Sequence, residues 1–496
     1  MIIPKGKYLK YSQCPKSIWI EKNKSDLLPK KIQTLPLYNP IKIIDEFSQK
    51  LFNSANACVY LDENREKYDY QKMTIKTQEL IKKNVNSIYK ATFECEGIYF
   101  VVDILKRVKK GFIVYLVRPS KVLRQNFLVE MAYTSYVLQK LGIKIYRHCI
   151  ITICQDFVKN GDIDPKKYFK INYVGNRIKY FISKIEDNLK DYGDLISSNI
   201  EPSIEYGTNC PNHHSCPYIE ICRKPLPTPS IFDLYGCGKK LELYSKNILS
   251  FQDVLDNEIV LNPFQKRQID YTLNQLPMFI DKENLKNYLT KFSYPLYFLD
   301  FETTQEEFPE FDGIGPFEQI PFQYSLHYIK EEGGQVYHKE YLAKEDEDPR
   351  KNLVLQLVND IPKDACIVAY NVSFEKRVIT NLAKVFPKYS DHLLNLTKNF
   401  VDLIEPFEKG FVYDKLMGGS FSLKSVLPAL FPNDPDMNYE NLEDIHNGRE
   451  ARLIFPALKY MDEELRKKER ESLLKYCALD TYALVKILEK LKELCK

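Results

Sequence analysis

Asp300 and Glu302 stand two residues apart at the end of an apolar run, Leu296-Tyr297-Phe298-Leu299-Asp300-Phe301-Glu302, that reads as a buried strand. Strand side chains alternate, so the two carboxylates share one face while Phe301 packs on the other. Like charges roughly 7 Å apart, twice the rise per strand residue, repel each other unless a cation sits beside them. Hard divalent cations such as Mg²⁺ take oxygen ligands of this kind. A solvated strand end is the alternative for the pair taken alone. Two further acidic positions bear on the choice. Glu375 follows Asn371-Val372-Ser373-Phe374 and falls in the first turn of a helix, after the strand Ile367-Val368-Ala369-Tyr370. Tyr476 and Asp480 are four residues apart on a long amphipathic helix and so share a face. An aspartate in mid-helix has poor propensity, and one facing a core is costly unless paired or metal-bound. A cap or a surface ion pair is the alternative for Asp480.

Asp-x-Glu on a first strand, an acidic residue after Asn-x-x-Phe, and Tyr-x-x-x-Asp on a last helix resemble the three motifs of DEDD 3′→5′ exonucleases, the group of proofreading exonucleases and RNase D. The resemblance implies that Asp300, Glu302, Glu375 and Asp480 hold two Mg²⁺ or Mn²⁺ ions, which clamp the attacking and leaving oxygens of an in-line displacement. Position 475 is Lys rather than His, so the chain resembles the tyrosine subclass. Tyr476 would then orient the attacking water, because a phenol of pKa ~10 is a poor base at neutral pH. Glu375 departs from the pattern, which usually has Asp there, and its extra methylene alters the expected metal geometry. In the wider context, Leu299–Thr303, Pro321–Ser325, Tyr370-Asn371, Gly419–Lys424 and Tyr476-Cys477 resemble a bacterial family of unknown function, domain of unknown function 2779. That family joins a RecB-like region to a DEDD-type domain, and the resemblance spans nearly the whole chain. Gly418-Gly419-Ser420 with Lys424 is either a phosphate or groove contact, or a turn and a surface lysine.

A second constellation is made of cysteines. Cys210, Cys216 and Cys222 are evenly spaced, and Cys14 lies far upstream. This arrangement resembles the iron–sulfur site of RecB-like nucleases, and Cys₄ ligation suits a [4Fe–4S] cluster. Zinc is the rival, although its sites favour closer pairs; His213 and His214 keep it open. RecB-like nucleases of the PD-(D/E)XK class carry Asp on one strand and Glu-x-Lys on the next. Asp103 matches the first element. Leu116 stands in the Glu place and Arg118 in the Lys place, and Tyr133-Thr134-Ser135-Tyr136 lacks the glutamine of the usual helix motif. Leucine binds no metal, so this nuclease site is expected to be degenerate, with Glu130 the one nearby substitute ligand. Between Lys106 and Arg124 lie seven basic residues and no acidic one: Lys106, Arg107, Lys109, Lys110, Arg118, Lys121 and Arg124. Such a strip either tracks a phosphate backbone or is a solvated hairpin face.

The elements that must position these groups are legible in outline. In the first 226 residues, strands are expected at Tyr99–Leu105 and Phe112–Val117 around a Lys109-Lys110-Gly111 turn, then a helix at Phe127–Lys140 and a strand at Ile143–Cys154. Prolines 225, 227 and 229 mark a boundary. A helical linker is expected over 227–290. Region 291–496 reads as strands at Leu296–Leu299, Phe322–Ile329 and Val336–Leu342, a helix at Asn352–Asp360, a strand at Cys366–Tyr370 and a helix at Phe374–Phe386. An RNase H-like sheet is built in that βββαβα order. The fold class is therefore α/β: a RecB-like (restriction-endonuclease-like) domain followed by an RNase H-like mixed-sheet domain.

Composition narrows the function classes. With 71 basic and 67 acidic residues the net charge is +4, so any nucleic-acid-binding surface must be local. Twelve cysteines without a secretory signal argue against a disulfide scaffold. No apolar run is long enough to span a bilayer, and a cytoplasmic protein is expected. The leading expectation is a 3′→5′ exonuclease acting on nucleic acid with a single-stranded 3′ end, DNA before RNA, gripped by the first region. The alternatives are a non-catalytic nucleic-acid-binding protein and a metal hydrolase of small phosphoesters. Protein partners are not legible.

Overall fold

The computed structural model describes residues 1–27, 40–52, 55–61, 68–207, 210, 216–223, 225–434, 437, 445 and 448–496. His213 and His214 lie outside the described residues. The chain is mixed α/β and divides into two compact units. One comprises most of residues 1–224 together with Glu306–Phe317; the other comprises Pro225–Gln305 and Glu318–Lys496. Among the described residues, no helix is long and apolar enough to cross a membrane.

The first unit is built on a six-stranded sheet in sequential order: β1 (Ala55–Ala57), β2 (Ser87–Cys95), β3 (Ile98–Val108), β4 (Gly111–Val117), β5 (Ile145–Ile153) and β6 (Phe169–Tyr173). Strands β2, β3 and β4 form an antiparallel meander. The helix Gln125–Lys140 then crosses over, so that β5 pairs parallel to β4, and β6 closes the sheet antiparallel. The β3–β4 turn needs glycine at its end. Gly111 has φ +129°, and a Cβ there would come 2.3 Å from the Lys144 carbonyl oxygen. One face of the sheet packs Val102, Leu105, Val114, Leu116 and Ile150 against the helix residues Met131, Ala132 and Val137. The opposite face buries Ile104, Tyr115, Val117, Cys149 and Ile151. The expected strands are present. The expectation left out β1, β2 and β6; the run of β2 from Ser87 to Cys95 carries a break at Lys90, a residue at φ +55° that is skipped in the pairing with β3.

After a short strand, β7 (Phe279–Ile280), the second unit forms a five-stranded sheet whose strands, counted in chain order, lie side by side as 3-2-1-4-5. Strands β8 (Leu296–Thr304), β9 (Ile320–Ile329) and β10 (Val336–Leu342) are antiparallel; β11 (Cys366–Ala369) and β12 (Phe400–Asp402) run parallel to β8. Alternation along β8 sends Leu296 and Phe298 to one face, covered by the helices Gly448–Ala457 and Glu463–Cys495. It sends Tyr297, Leu299 and Phe301 to the other, covered by the helices Pro349–Asp360 and Ser373–Val385. The helix expected at Asn352 starts three residues earlier, because Asp348 caps it by accepting from the Arg350 amide at 3.1 Å and Pro349 suits its first position.

The structure places the 227–290 stretch within this second unit. Its short strand Phe279–Ile280 pairs antiparallel with Val412–Tyr413. Tyr235 and Phe264 pack against Phe421. The side chain of Gln268 donates to the Asp233 carbonyl at 2.7 Å and accepts from the Tyr235 amide at 2.9 Å. Gly419, at φ +75°, passes so close to Asp233 that a Cβ would lie 1.6 Å from its carbonyl oxygen. The Gly418-Gly419 turn thus answers to backbone packing, and Lys424 is an exposed residue in the first turn of the helix Leu423–Leu430.

Candidate metal centre

The pleat of β8 turns Asp300 and Glu302 to the side covered by the helix Glu463–Cys495, and Phe301 away from it. A register shift directly after Glu302 moves the pairing with β9 one residue out of step, so that Thr303 pairs with Pro321, a device that re-aims side chains at sheet margins. Asp480 reaches the same place from the helix. One oxygen from each of Asp300, Glu302 and Asp480 lies within 4.8 Å of the others.

The helix is held in rotation by polar contacts. Ser325, the cross-strand neighbour of Asp300, lies 2.7 Å from the Thr481 hydroxyl. That hydroxyl also contacts His327 Nδ1 at 2.8 Å. Gln323, opposite Glu302, donates to the Leu473 carbonyl at 2.8 Å. Burial and the adjacent His338 ring push His327 down to about 4, so it accepts or donates here as a neutral imidazole. Thr481 follows Asp480 directly, so these bonds fix which way the aspartate points.

Glu375 lies in the first turn of the helix Ser373–Val385. The preceding turn is clamped by Asp402, at the end of β12. Its carboxylate accepts from the amides of Asn371 at 2.8 Å and Val372 at 3.0 Å, with Asn371 in the left-handed region at φ +62°. Glu375 is buried, and its Oε2 has no hydrogen-bond partner among the described residues. It stands outside the three-carboxylate set, although its charge acts on Asp300. Of the four carboxylates expected to act together, three converge and the fourth, the Glu in place of the usual Asp, is set apart.

The electrostatics call for a cation. Burial, then Asp480, Glu302 and Glu375, raise Asp300 well above the carboxylate range. Burial and Asp480 push Glu302 up to about 8. Burial, opposed by a backbone hydrogen bond and reinforced by Asp402, pushes Glu375 up to about 8. Tyr476 lies beside the set, and burial together with Asp480, Glu302 and Asp300 raises its phenol far above the ordinary value. It stays protonated at any working pH. Cys477, to which the sequence reading gave no role at the site, packs its Sγ 3.7 Å from Asp300 Oδ2. Gly448 is a second such residue: a Cβ there would lie 3.5 Å from both Glu302 carboxylate oxygens, so little more than an alanine fits against the site. Hard oxygen donors, close spacing and unneutralised burial together fit a divalent cation.

A stability test follows for the metal-free protein. Glu302 and Glu375 rise from the ordinary 4.5 to about 8 on folding. The folded state therefore binds more protons than the unfolded one between those values. Their stabilising contribution is complete below pH 4.5 and lost as pH climbs through 8. In EDTA, the melting temperature of the wild type is expected to fall from pH 6 to 8 more steeply than that of Glu302→Gln. Mn²⁺ is expected to raise the wild-type value more at pH 8 than at pH 6. Parallel slopes for the two proteins would refute this account.

Residues 297–422 match a family model described as a domain of unknown function (DUF2779). No curated protein matches the chain. The matched segment takes in Asp300, Glu302, Glu375 and Asp402 and ends before Tyr476 and Asp480.

Outside the matched segment, the first unit holds the other expected site. Leu116 is fully buried in the core against the helix Gln125–Lys140. Asp103, on β3, accepts from the Val117 amide at 2.9 Å and is bridged by Arg118 at 2.9 Å and Lys90 at 3.0 Å. The Arg118 guanidinium also binds both oxygens of Glu130, and Lys5 reaches Glu130 at 2.9 Å. Lys90 is shared with Asp45. Burial alone would raise Asp103, but Arg118, Lys90 and Lys5 overcome it and hold the carboxyl well below its usual range. Burial of Glu130 is likewise outweighed by Arg118 and Lys5. Arg118 thus sits between Asp103 and Glu130 as a built-in cation, and Glu130 is its partner rather than a spare ligand.

The basic strip divides on inspection of its partners. Arg118 is consumed in these ion pairs. Arg107 lies over the Phe112 ring and donates to the Ile81 carbonyl at 2.6 Å. Lys109, Lys121 and Arg124 carry no ion pair among the described residues, and Lys106 and Lys110 sit over aromatic rings. Cys14, Cys210, Cys216 and Cys222 are free thiols, all partly buried. Burial pushes Cys222 up to about 11, opposed by Lys16 and reinforced by Cys14, Cys216 and Cys210, so those three lie within electrostatic reach of Cys222.

Proposed function

We propose that the second unit is a metal-dependent 3′→5′ exonuclease with a DEDD-type site on an RNase H-like sheet, with DNA the favoured substrate and RNA the alternative. The observation that carries this reading is the convergence of Asp300, Glu302 and Asp480 within 4.8 Å from one strand and one helix. The strand order 3-2-1-4-5, counted from β8, supports the fold assignment. A pair of divalent cations, when bound, supplies charge stabilisation for the attacking and leaving oxygens of a phosphodiester. Asp300, Glu302 and Asp480 would hold the first, and Glu375, with an oxygen left without a partner, would complete the set for the second. Tyr476 keeps its proton, so its role is to orient the attacking water through a hydrogen bond rather than to deprotonate it.

The first unit is read as RecB-like, its nuclease site replaced by the Asp103–Arg118–Glu130 ion pairs, and as the part that grips nucleic acid. Its four thiols are read as ligands of a [4Fe–4S] cluster. The soft sulfur donors suit either iron–sulfur or zinc. The iron–sulfur reading rests on the even, wide spacing of Cys210, Cys216 and Cys222 along the chain, where zinc sites favour closer pairs. Protein purified without oxygen is expected to contain iron, and Cys222→Ser to lose it; stoichiometric zinc in place of iron would reverse the assignment.

The deciding experiment is degradation of end-labelled single-stranded DNA and RNA, side by side, with Mg²⁺, Mn²⁺ or EDTA. Metal-dependent release of mononucleotides from 3′ ends is expected. Activity that survives EDTA, or that begins only at 5′ ends, would refute the reading.

A further inference from the structure

We infer that the open margin of the first sheet, at Tyr146, Arg147 and Tyr173, is a docking platform for single-stranded nucleic acid. Only the choice of polymer rests on the nuclease reading of the second unit; the platform itself stands on three observations.

The first is charge. Residues 104–125, 131–155 and 167–184 contain no aspartate or glutamate. These stretches supply the end of β3 and the whole of β4, β5 and β6, which are neighbours in the sheet. The carboxylate-free stretches are thereby brought side by side, with Lys106, Lys110 and Arg147 on neighbouring strands or the turn between them. Among the described residues no ion pair ties Lys106, Lys110 or Arg147 to a carboxylate.

The second is register. Lys106 pairs with Ile113, and Ile113 with Arg147, so the three form a row across β3, β4 and β5 on one face of the sheet. Lys106 and Arg147 are thus two strand spacings apart, about 9.6 Å. Tyr173 pairs with Cys149, two residues on from Arg147 and therefore on the same face, at the outer strand β6.

The third is the aromatic content. Tyr146 is 39% exposed and Tyr173 66% exposed. The Arg147 guanidinium lies between them, 5.1 Å from the first ring and 5.4 Å from the second, and the Lys110 ammonium lies 5.6 Å from the Tyr146 ring. A guanidinium set over two exposed tyrosine rings offers a phosphate its fork, and the exposed ring surface away from it offers bases a stacking platform. A duplex keeps its base faces stacked inside and can use only the charges. A single strand uses both, so it is the occupant this surface fits.

The test uses the full chain carrying Asp300→Asn, in EDTA, so that binding is read without cleavage. Labelled oligothymidylate is titrated by fluorescence anisotropy, with a duplex of equal length and with polyglutamate as competitors. The oligothymidylate is expected to bind in preference to the duplex. Tyr146→Ala with Tyr173→Ala should weaken it tenfold or more, whereas Tyr146→Phe with Tyr173→Phe should hold within about twofold, since the ring and not the hydroxyl does the stacking. Arg147→Ala should lower the salt dependence by about one phosphate contact. These are surface positions, and unchanged melting temperatures would confirm intact folding. Unchanged affinity in the double alanine variant would overturn the inference. So would equal affinity for duplex, or displacement by polyglutamate, which would point to an acidic protein instead. If the wild type binds through these tyrosines yet cleaves nothing, the nuclease reading fails and the platform stands.

Discussion

Asp300→Ala is expected to lower metal-dependent cleavage by about a thousandfold or more while leaving the fold in place. Asp300 supplies one of the three convergent oxygens and is the group whose charge couples to all three other carboxylates. On the proposed reading its loss removes a metal ligand at the centre of the set, and several kcal/mol of transition-state charge stabilisation correspond to three or more powers of ten in rate. The fold should survive, because a buried carboxyl pushed far above its usual range is a destabilising element in the metal-free protein. In EDTA the variant should melt at or above the wild-type temperature. Asp103→Ala is the matched control in the first unit, and the catalytic step should be nearly unaffected by it. Endonuclease cleavage by Asp300→Ala protein that disappears on adding Asp103→Ala would show that the first unit still cuts.

The second large effect is expected at Arg118. Its guanidinium neutralises two buried carboxylates, Asp103 and Glu130, and both lie on core elements. Removing one member of a buried ionic group typically costs about 3–5 kcal/mol, and here the two carboxylates left behind are buried with only Lys90 and Lys5 to balance them. Arg118→Ala should therefore destabilise the first unit by that amount, read as a lower denaturant midpoint or faster proteolysis of residues before 224. Adding Asp103→Asn and Glu130→Gln should recover much of the loss, since the stranded charges are gone. Mn²⁺ should also stabilise the single variant more than the wild type, because two carboxylates vacated by a guanidinium present oxygens to a cation. A cost below about 1 kcal/mol would show that the ion pairs are solvated and structurally idle.

What could be read from the sequence was what local periodicity carries. Asp300 and Glu302 share a face because strands alternate, and Tyr476 and Asp480 share one because helices repeat near four; neither needs knowledge of a partner element. The strands β3, β4, β5, β8, β9, β10 and β11 were legible for the same reason; β2, where Lys90 at φ +55° breaks the pairing, and the short strands β1, β6 and β12 were not. The residues that were not legible act across long separations. Asp402 fixes the turn before Glu375 from 30 residues away. Ser325 and Thr481 meet across 156 residues. Nothing in either segment alone marks the pairing. Arg118 illustrates the intermediate case. Its place in the motif was visible, but its bridging role depends on the helix bringing Glu130 back over the sheet.

The close passage of Gly419 over the Asp233 carbonyl has a practical consequence for dissecting the chain. A cut near residue 291, where the strand pattern begins, would discard the backbone on which Gly419 rests and the strand that pairs with Val412–Tyr413. Phe421 would lose Tyr235 and Phe264 at the same time. The fragment would present an unpaired strand edge beside a bared aromatic surface, the combination that drives chains to associate edge to edge. The shortest portable piece of the second unit therefore begins near Pro225, and fragments starting at 225 and at 291 should part company in solubility before any difference in chemistry can be measured.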